Sequence, residues 1–253
     1  MNKIEQLIDY FIEPYKKNDD IQAAILTGSY AQGYQNKYSD IDIFIISSDT
    51  LNWRERGNKI IENYMFEYFI NPAKVIFKEI DEYKKSGMAT ALIIANGVEI
   101  YDKTGIVKQL KEKAFDVIDN LNNPMNGYEM EMIKYYTNYY FEQLKRAYDD
   151  NQFEFMFLYH TYIEYIIYSY GKFNGIILPL KTKIYQYIFN ENYFINNNLK
   201  KISDNNFLDI LKKCMTEFKK DIMYKNITDL KEYFINSIGG FNIDGWKIRS
   251  PVK

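Results

Sequence analysis

The sequence predicts an α+β protein: a small mixed β-sheet flanked by helices over residues 1–104, followed by an all-α helical bundle over 105–253. Two textures carry that reading. Up to about residue 104, short β-branched and aromatic runs alternate with helical stretches, the pattern of a mixed α/β layer. Beyond it, long amphipathic patterns of helical period dominate, broken by clusters of Asn, Asp, Gly and Pro.

The elements follow in order. Ile4 to Tyr15 has apolar residues at 4, 7, 8, 11 and 12, which is one stripe of a helix. Ile21 to Thr27 is a short apolar run meeting Gly28, a buried strand that ends in a turn. Ser29 to Gln32 reads as a brief helix closed by Gly33, and Asp40 to Ile46 as a second strand. Trp53 to Tyr64 has a helical pattern, and Met65 to Ile70 (MFEYFI) is a third strand closed by Asn71-Pro72. A helix is expected to run on to Lys85 and stop at Ser86-Gly87. Met88 to Ala95 is ambiguous between helix and strand, and Val98 to Asp102 is a strand after the Asn96-Gly97 turn. Helices are expected over 105–120, 126–150, 153–172, 181–190 and 205–236, with a domain boundary somewhere in 104–123. No solenoid repeat is visible.

Composition narrows the class of function. With 253 residues the chain can bury a substantial core. A formal net charge of −2 provides no general attraction to a polyanion, which argues against a nucleic-acid substrate. The single cysteine, Cys214, excludes an intramolecular disulfide. No apolar run reaches the roughly 20 residues of a membrane span, and the N-terminus lacks a signal-peptide pattern. A cytoplasmic protein is expected. The 25 Tyr and 17 Phe fit the codon bias of an AT-rich genome as readily as a role in ligand stacking.

The informative segment is Gly28-Ser29-Tyr30-Ala31-Gln32-Gly33, followed by Tyr38-Ser39-Asp40-Ile41-Asp42. Residues two apart on a strand face the same way, so Asp40 and Asp42 project together while Ile41 and Ile43 turn to a core. Adjacent carboxylates repel, and a hard divalent cation with oxygen ligands relieves that repulsion. The strand–Gly–Ser–helix junction upstream offers free backbone N–H groups and a hydroxyl, which suit phosphate. Either feature alone is common; the pair joins the two halves of a metal–triphosphate complex.

This combination resembles the signature of the DNA polymerase β-type nucleotidyltransferases, and GSYAQG…YSDIDIFII is most similar to the bacterial small-molecule branch, the kanamycin and lincosamide enzymes of antibiotic resistance. It also resembles the minimal nucleotidyltransferase antitoxins. The resemblance implies one or two Mg²⁺ ions on Asp40 and Asp42, ATP or another nucleoside triphosphate as donor, and β- and γ-phosphates gripped by Gly28 N–H and Ser29, with Ser39 adding a hydroxyl. It further implies a third carboxylate on a later strand. Glu67 is the acid inside an apolar run at a suitable place; the competing reading puts it on the exposed face of an edge strand. Glu62 is expected on the preceding helix. In the helical half, the kanamycin-type enzymes use a glutamate as base on the acceptor hydroxyl and a basic residue one turn later on phosphate, which would be Glu142 with Arg146 or Lys145. The bland alternative is an i,i+4 surface ion pair. His160, the sole histidine, reads first as a satisfied core residue, with Glu164 one turn on as its bonding partner. Lys181 and Lys183 read as a solvated helix start.

The implied reaction is transfer of a nucleoside monophosphate, AMP from ATP, to a hydroxyl of a small molecule such as an aminoglycoside. Such an enzyme has no membrane partner, and a homodimer is compatible with it. The alternatives are a protein-modifying adenylyltransferase or antitoxin-like regulator, and a nucleotide-binding module without catalysis, which the intact Gly-Ser and Asp pair disfavour.

Overall fold

The computed structural model describes residues 2–86, 90–120, 125–197 and 199–249. The chain divides into two compact units, one of Met1–Leu121 with Ile195–Asn198 and the other of Asn122–Phe194 with Leu199–Lys253.

In the first unit, helix α1 (Lys3–Lys16) starts at a capping box in which Asn2 and Glu5 satisfy each other's backbone N–H. Its buried residues Leu7, Ile8, Phe11 and Ile12 reproduce the apolar stripe of the sequence. Strands β1 (Ile21–Thr27), β2 (Ile41–Ser47), β3 (Glu55–Ile61), β4 (Tyr64–Pro72) and β5 (Val98–Asp102) form one sheet in the order β3-β4-β2-β1-β5. All pairings are antiparallel except β2 with β4, which is parallel. Alternation sorts the sheet's two faces. Ile41, Ile43, Ile45, Phe66 and Ile70 join the α1 residues in one buried cluster, so Asp42, Phe44, Glu67 and Phe69 belong to the opposite face. Helix α2 (Gly28–Gln32) follows β1, and α3 (Ala73–Ser86), α4 (Thr90–Asn96) and α5 (Ile106–Asp119) complete the unit.

The structure corrects the sequence reading at several places. Trp53 to Tyr64 is not a helix: it holds β3 and the turn of a hairpin with β4, in register from Glu55↔Ile70 to Ile61↔Tyr64. Glu62 and Asn63 make that two-residue turn with φ of 48° and 67°, the paired positive angles that match a hairpin's twist. Gly57 is part of the same hairpin. A Cβ there would stand 2.4 Å from the Tyr68 hydroxyl, because Tyr68 crosses its strand partner to donate to Glu55 at 2.8 Å. Asp40 falls just before β2 rather than in it. The ambiguous Met88–Ala95 run is helical from Thr90 onward, Met88 and Ala89 lying outside the described residues. Helix α5 is counted with the sheet in the first compact unit, which ends at Leu121, within the 104–123 interval expected for the boundary.

The second unit contains α6 (Gly127–Asp149), α7 (Phe155–Phe173), a 3₁₀ turn at Lys181–Lys183, α8 (Ile184–Phe189), α9 (Glu191–Asn196, its last residues counted with the first unit), α10 (Asn205–Thr216) and α11 (Lys220–Ser237). The expected single helix over 205–236 is two. Glu217 breaks it by accepting from the N–H groups of Phe218 and Lys219, both at 2.8 Å. Asp204 ties three helices together: it caps α10 through Phe207 N–H at 3.0 Å and accepts from Tyr170 of α7 and Tyr233 of α11. From the C-terminal tail, Trp246 stacks on Tyr135 of α6 with ring centroids 4.4 Å apart. Among the described residues no helix is long and apolar enough to cross a membrane.

Candidate active site

The site lies where β1 ends and β2 begins. Thr27, the last residue of β1, pairs with Asp42, and Asp42 pairs on its other side with Glu67 of β4. Parallel pairing of β2 with β4 therefore sets two carboxylates side by side on one face, and Asp40 completes a group whose oxygens lie within 4.8 Å of one another. All three side chains are partly buried. The burial of Ile41 and Ile43, both 0% exposed, fixes which way Asp42 must point.

The Gly-Ser junction is built around Asp42. Gly28 has φ +66°, and a Cβ on it would meet Asp42 Oδ2 at 2.0 Å. Both the left-handed backbone and the contact with the carboxylate demand glycine here. Ser29 lies in the first turn of α2, where its carbonyl accepts from Gly33 and Tyr34. Gly33 ends this short helix at φ +72°. Ser39 closes the turn before Asp40: its hydroxyl accepts from Asn36 N–H at 3.0 Å, and its own N–H donates to Asn36 O at 3.0 Å. Tyr34 stands in the field of the site. Burial raises its phenol pKa, the hydrogen bond with Asn197 opposes that, and the charge of Asp42 adds to it.

Sequence reasoning missed Arg56. Its Nη2 and Nε donate to Glu67 Oε1 at 2.5 and 3.1 Å, and its guanidinium lies 4.9 Å from the centre of the Phe69 ring. The helical reading of 53–64 hid it. The signals that could have shown the hairpin were Gly57, a poor residue for a helix interior, and Glu62-Asn63 between two β-rich runs. Arg54, just before β3, makes a second link, to Glu79 of α3 at 2.9 Å and to Asn71 of β4 at 2.5 Å.

Three carboxylates suit a hard cation such as Mg²⁺. An ion with bonds near 2.1 Å spans oxygens up to about 4.2 Å apart, so small side-chain rotations bring this group into coordination distance. The donor set fits the ion that the Asp pair implies.

Glu142 and Arg146 lie on α6 in the second unit, Glu142 partly buried and Arg146 exposed. Among the described residues no ion pair joins them, so the surface-pair reading of that spacing does not hold. The Glu142 charge is felt by Tyr224 instead, whose phenol pKa is raised by burial first, then by Asp149 and Glu142. His160 is exposed rather than in the core. Glu164 pairs with Lys181, and these residues with Ile163, Ile167 and Met215 line a cavity of about 200 Å³ in the helical unit.

Residues 5–106 match the family model Polymerase beta, Nucleotidyltransferase. A Methanocaldococcus jannaschii protein named as a putative protein adenylyltransferase is 26% identical over 125 residues, covering 47% of this chain and 85% of that protein. A crystal structure of a nucleotidyltransferase-like protein from Exiguobacterium sibiricum aligns with 92% of this chain and 75% of its own at 9% identity and a TM-score of 0.49. The match over residues 5–106 spans β1, the Gly28-Ser29 junction, the three carboxylates and all five strands. Over residues 5–106 the chain is thus similar to the nucleotidyltransferase domains of the polymerase β type.

Proposed function

We propose that the protein transfers AMP from ATP to a hydroxyl group, using Asp40, Asp42 and Glu67 to hold one or two Mg²⁺ ions. The observation that carries this reading is the meeting of three carboxylates beside the side-chain-free surface of Gly28. When bound, the metal neutralises triphosphate charge and makes the acceptor hydroxyl more acidic. The chain's own residues do the rest. The bare backbone at Gly28 and the Ser29 hydroxyl receive the β- and γ-phosphates, with Ser39 adding a contact. The acceptor oxygen attacks the α-phosphorus in line as the bond to the β-phosphate oxygen breaks. Pyrophosphate leaves, and the acceptor proton passes to Glu67 or Glu142. Arg146 offsets phosphate charge.

For the acceptor, the resemblance of GSYAQG…YSDIDIFII to the small-molecule branch supports a hydroxylated small molecule such as an aminoglycoside. A second reading, a Ser, Thr or Tyr hydroxyl of a protein, is favoured by the name of the Methanocaldococcus relative. More than half of this chain has no counterpart in that alignment, so the relative does not decide the acceptor of the whole protein. Incubation with ATP labelled on the α-phosphate, Mg²⁺, aminoglycosides, lincosamides and cell lysate separates the two. A labelled drug supports the first reading and a labelled protein band the second. No label in any fraction, with ATP binding unchanged by Asp42→Asn, overturns both.

A further inference from the structure

Arg56 belongs to no part of the reaction described above, yet it is a cation in direct contact with Glu67 of the carboxylate group. The arginine sits on the edge strand β3, its side chain 69% exposed, and reaches back to a glutamate that is 19% exposed. Both of its bonds converge on a single oxygen, Oε1 of Glu67. The contact is set by the sheet. Arg56 pairs with Phe69 and Glu67 with Asn58, so arginine and glutamate are diagonal neighbours on one face. The Phe69 ring, its centre 4.9 Å from the guanidinium, adds a cation–π contact on that diagonal.

Resting on the reading of the triad as a metal site, we propose that Arg56 is a positioning residue that competes with the metal for Glu67. Three carboxylates this close repel one another, and Glu67 is the member of the group that Arg56 on the edge strand contacts. The guanidinium holds it in place with a charge that is permanent at any physiological pH. An exposed ion pair of this kind is weak and exchanges readily, so a divalent cation displaces it from Oε1, and the displacement costs the metal part of its affinity. The site is thereby kept ordered when empty and prevented from holding its ion too tightly.

Titration of the full chain with Mn²⁺, free ion being read by electron paramagnetic resonance, tests this without recourse to activity. Arg56→Gln is expected to lower the Mn²⁺ Kd several-fold, and Arg56→Lys, which keeps the charge and loses the fork, to lower it less. Lys59→Gln, on the same strand at a position facing the other way, removes an equal charge and is expected to leave Kd unchanged. In a Glu67→Gln background, Arg56→Gln is expected to have no effect. A Kd that is unchanged or raised in Arg56→Gln, or equally lowered in Lys59→Gln or without Glu67, overturns the proposal. Circular dichroism confirms folding, and Arg56→Lys alone decides the sign should Arg56→Gln misfold. The underlying site reading fails separately: it falls if Asp42→Asn leaves the wild-type Kd unmoved, whereas loss of Mn²⁺ binding in Asp42→Asn with no response to Arg56 sinks only the role of the arginine.

Discussion

Gly28, just past the end of β1, lies against Asp42 of β2: a methyl group on the glycine would stand 2.0 Å from Oδ2 of the aspartate. The glycine of the Gly-Ser motif thus makes room for the carboxylate proposed to hold metal, besides lying on the proposed phosphate side of the site. Gly28→Ala meets this clash and a φ of +66° together. A displacement of about an ångström at a reacting centre costs on the order of 100-fold in rate. Transfer activity is expected to fall by that order, with Mn²⁺ affinity reduced in parallel and the far-ultraviolet spectrum retained.

Asp40→Asn, Asp42→Asn and Glu67→Gln each remove a charge from a group whose oxygens lie within 4.8 Å of one another. Nucleotidyl transfer is expected to drop by about 100-fold or more in each variant, the scale of losing one preorganised charge in a reaction centre. Asp40→Asn relieves repulsion among the acids and leaves the Arg56–Glu67 pair in place, so its thermal stability in the absence of metal is expected to hold or rise. A steady-state assay and a melting curve, both with and without Mg²⁺, check the two halves.

Glu142→Gln tests the proposed base on the acceptor. Its removal is expected to lower kcat by roughly 100-fold, the low end of general-base contributions, and to leave Mn²⁺ affinity at wild type. An unchanged kcat would assign the proton to Glu67. Arg146→Ala is expected to raise KM for ATP more than it lowers kcat.

Much of this architecture could be read from the chain alone. The Gly-Ser and Asp-x-Asp spacing located the first two carboxylates because the signal is local: one residue at the start of a strand, one just before it, and a turn beside them. Glu67 was found as an acid among Phe66, Phe69 and Ile70, a local anomaly too. Arg56 was out of reach, since its importance comes from a diagonal contact across a hairpin that the helical reading of Trp53–Tyr64 had erased. Position 57 and the Glu62-Asn63 turn carried the correction, but periodicity over so short a window fits helix and strand alike. The place of α5 was likewise settled by packing, which no stripe of apolar residues specifies.

In the helical unit, Asp204→Asn is expected to cost about 1–3 kcal/mol, read as a lower melting temperature at pH 7. Burial works against ionisation of Asp204, but the hydrogen bonds from Phe207 N–H, Tyr233, Tyr170 and Asn206 N–H outweigh it and hold its carboxyl below the usual range. A carboxylate depressed on folding stabilises the protein above its unfolded pKa, near 3.9, and that contribution disappears as pH falls through the folded value. Melting curves of wild type and variant are therefore expected to converge below about pH 4.

Arg54→Met removes the cation that reaches Glu79, a residue only 8% exposed, whose other oxygen accepts from Thr90 at 2.8 Å. An acid left without its cation at such a site costs about 1–3 kcal/mol. Denaturant unfolding of the full chain is expected to show a loss of that size, with Mn²⁺ affinity untouched.

The parallel pairing of β2 with β4 also has a bearing on how the molecule comes to exist. Asp42 and Glu67 become neighbours only after the intervening chain has travelled to the rim of the sheet as β3 and returned, so their meeting is a non-local event that follows closure of a loop. A nascent or partly unravelled chain has the Asp pair but lacks the third acid beside it. On the proposed reading of the triad as a metal site, cation capture thus requires that the edge hairpin has docked, and an ion bound there would stabilise the finished sheet over its incomplete forms.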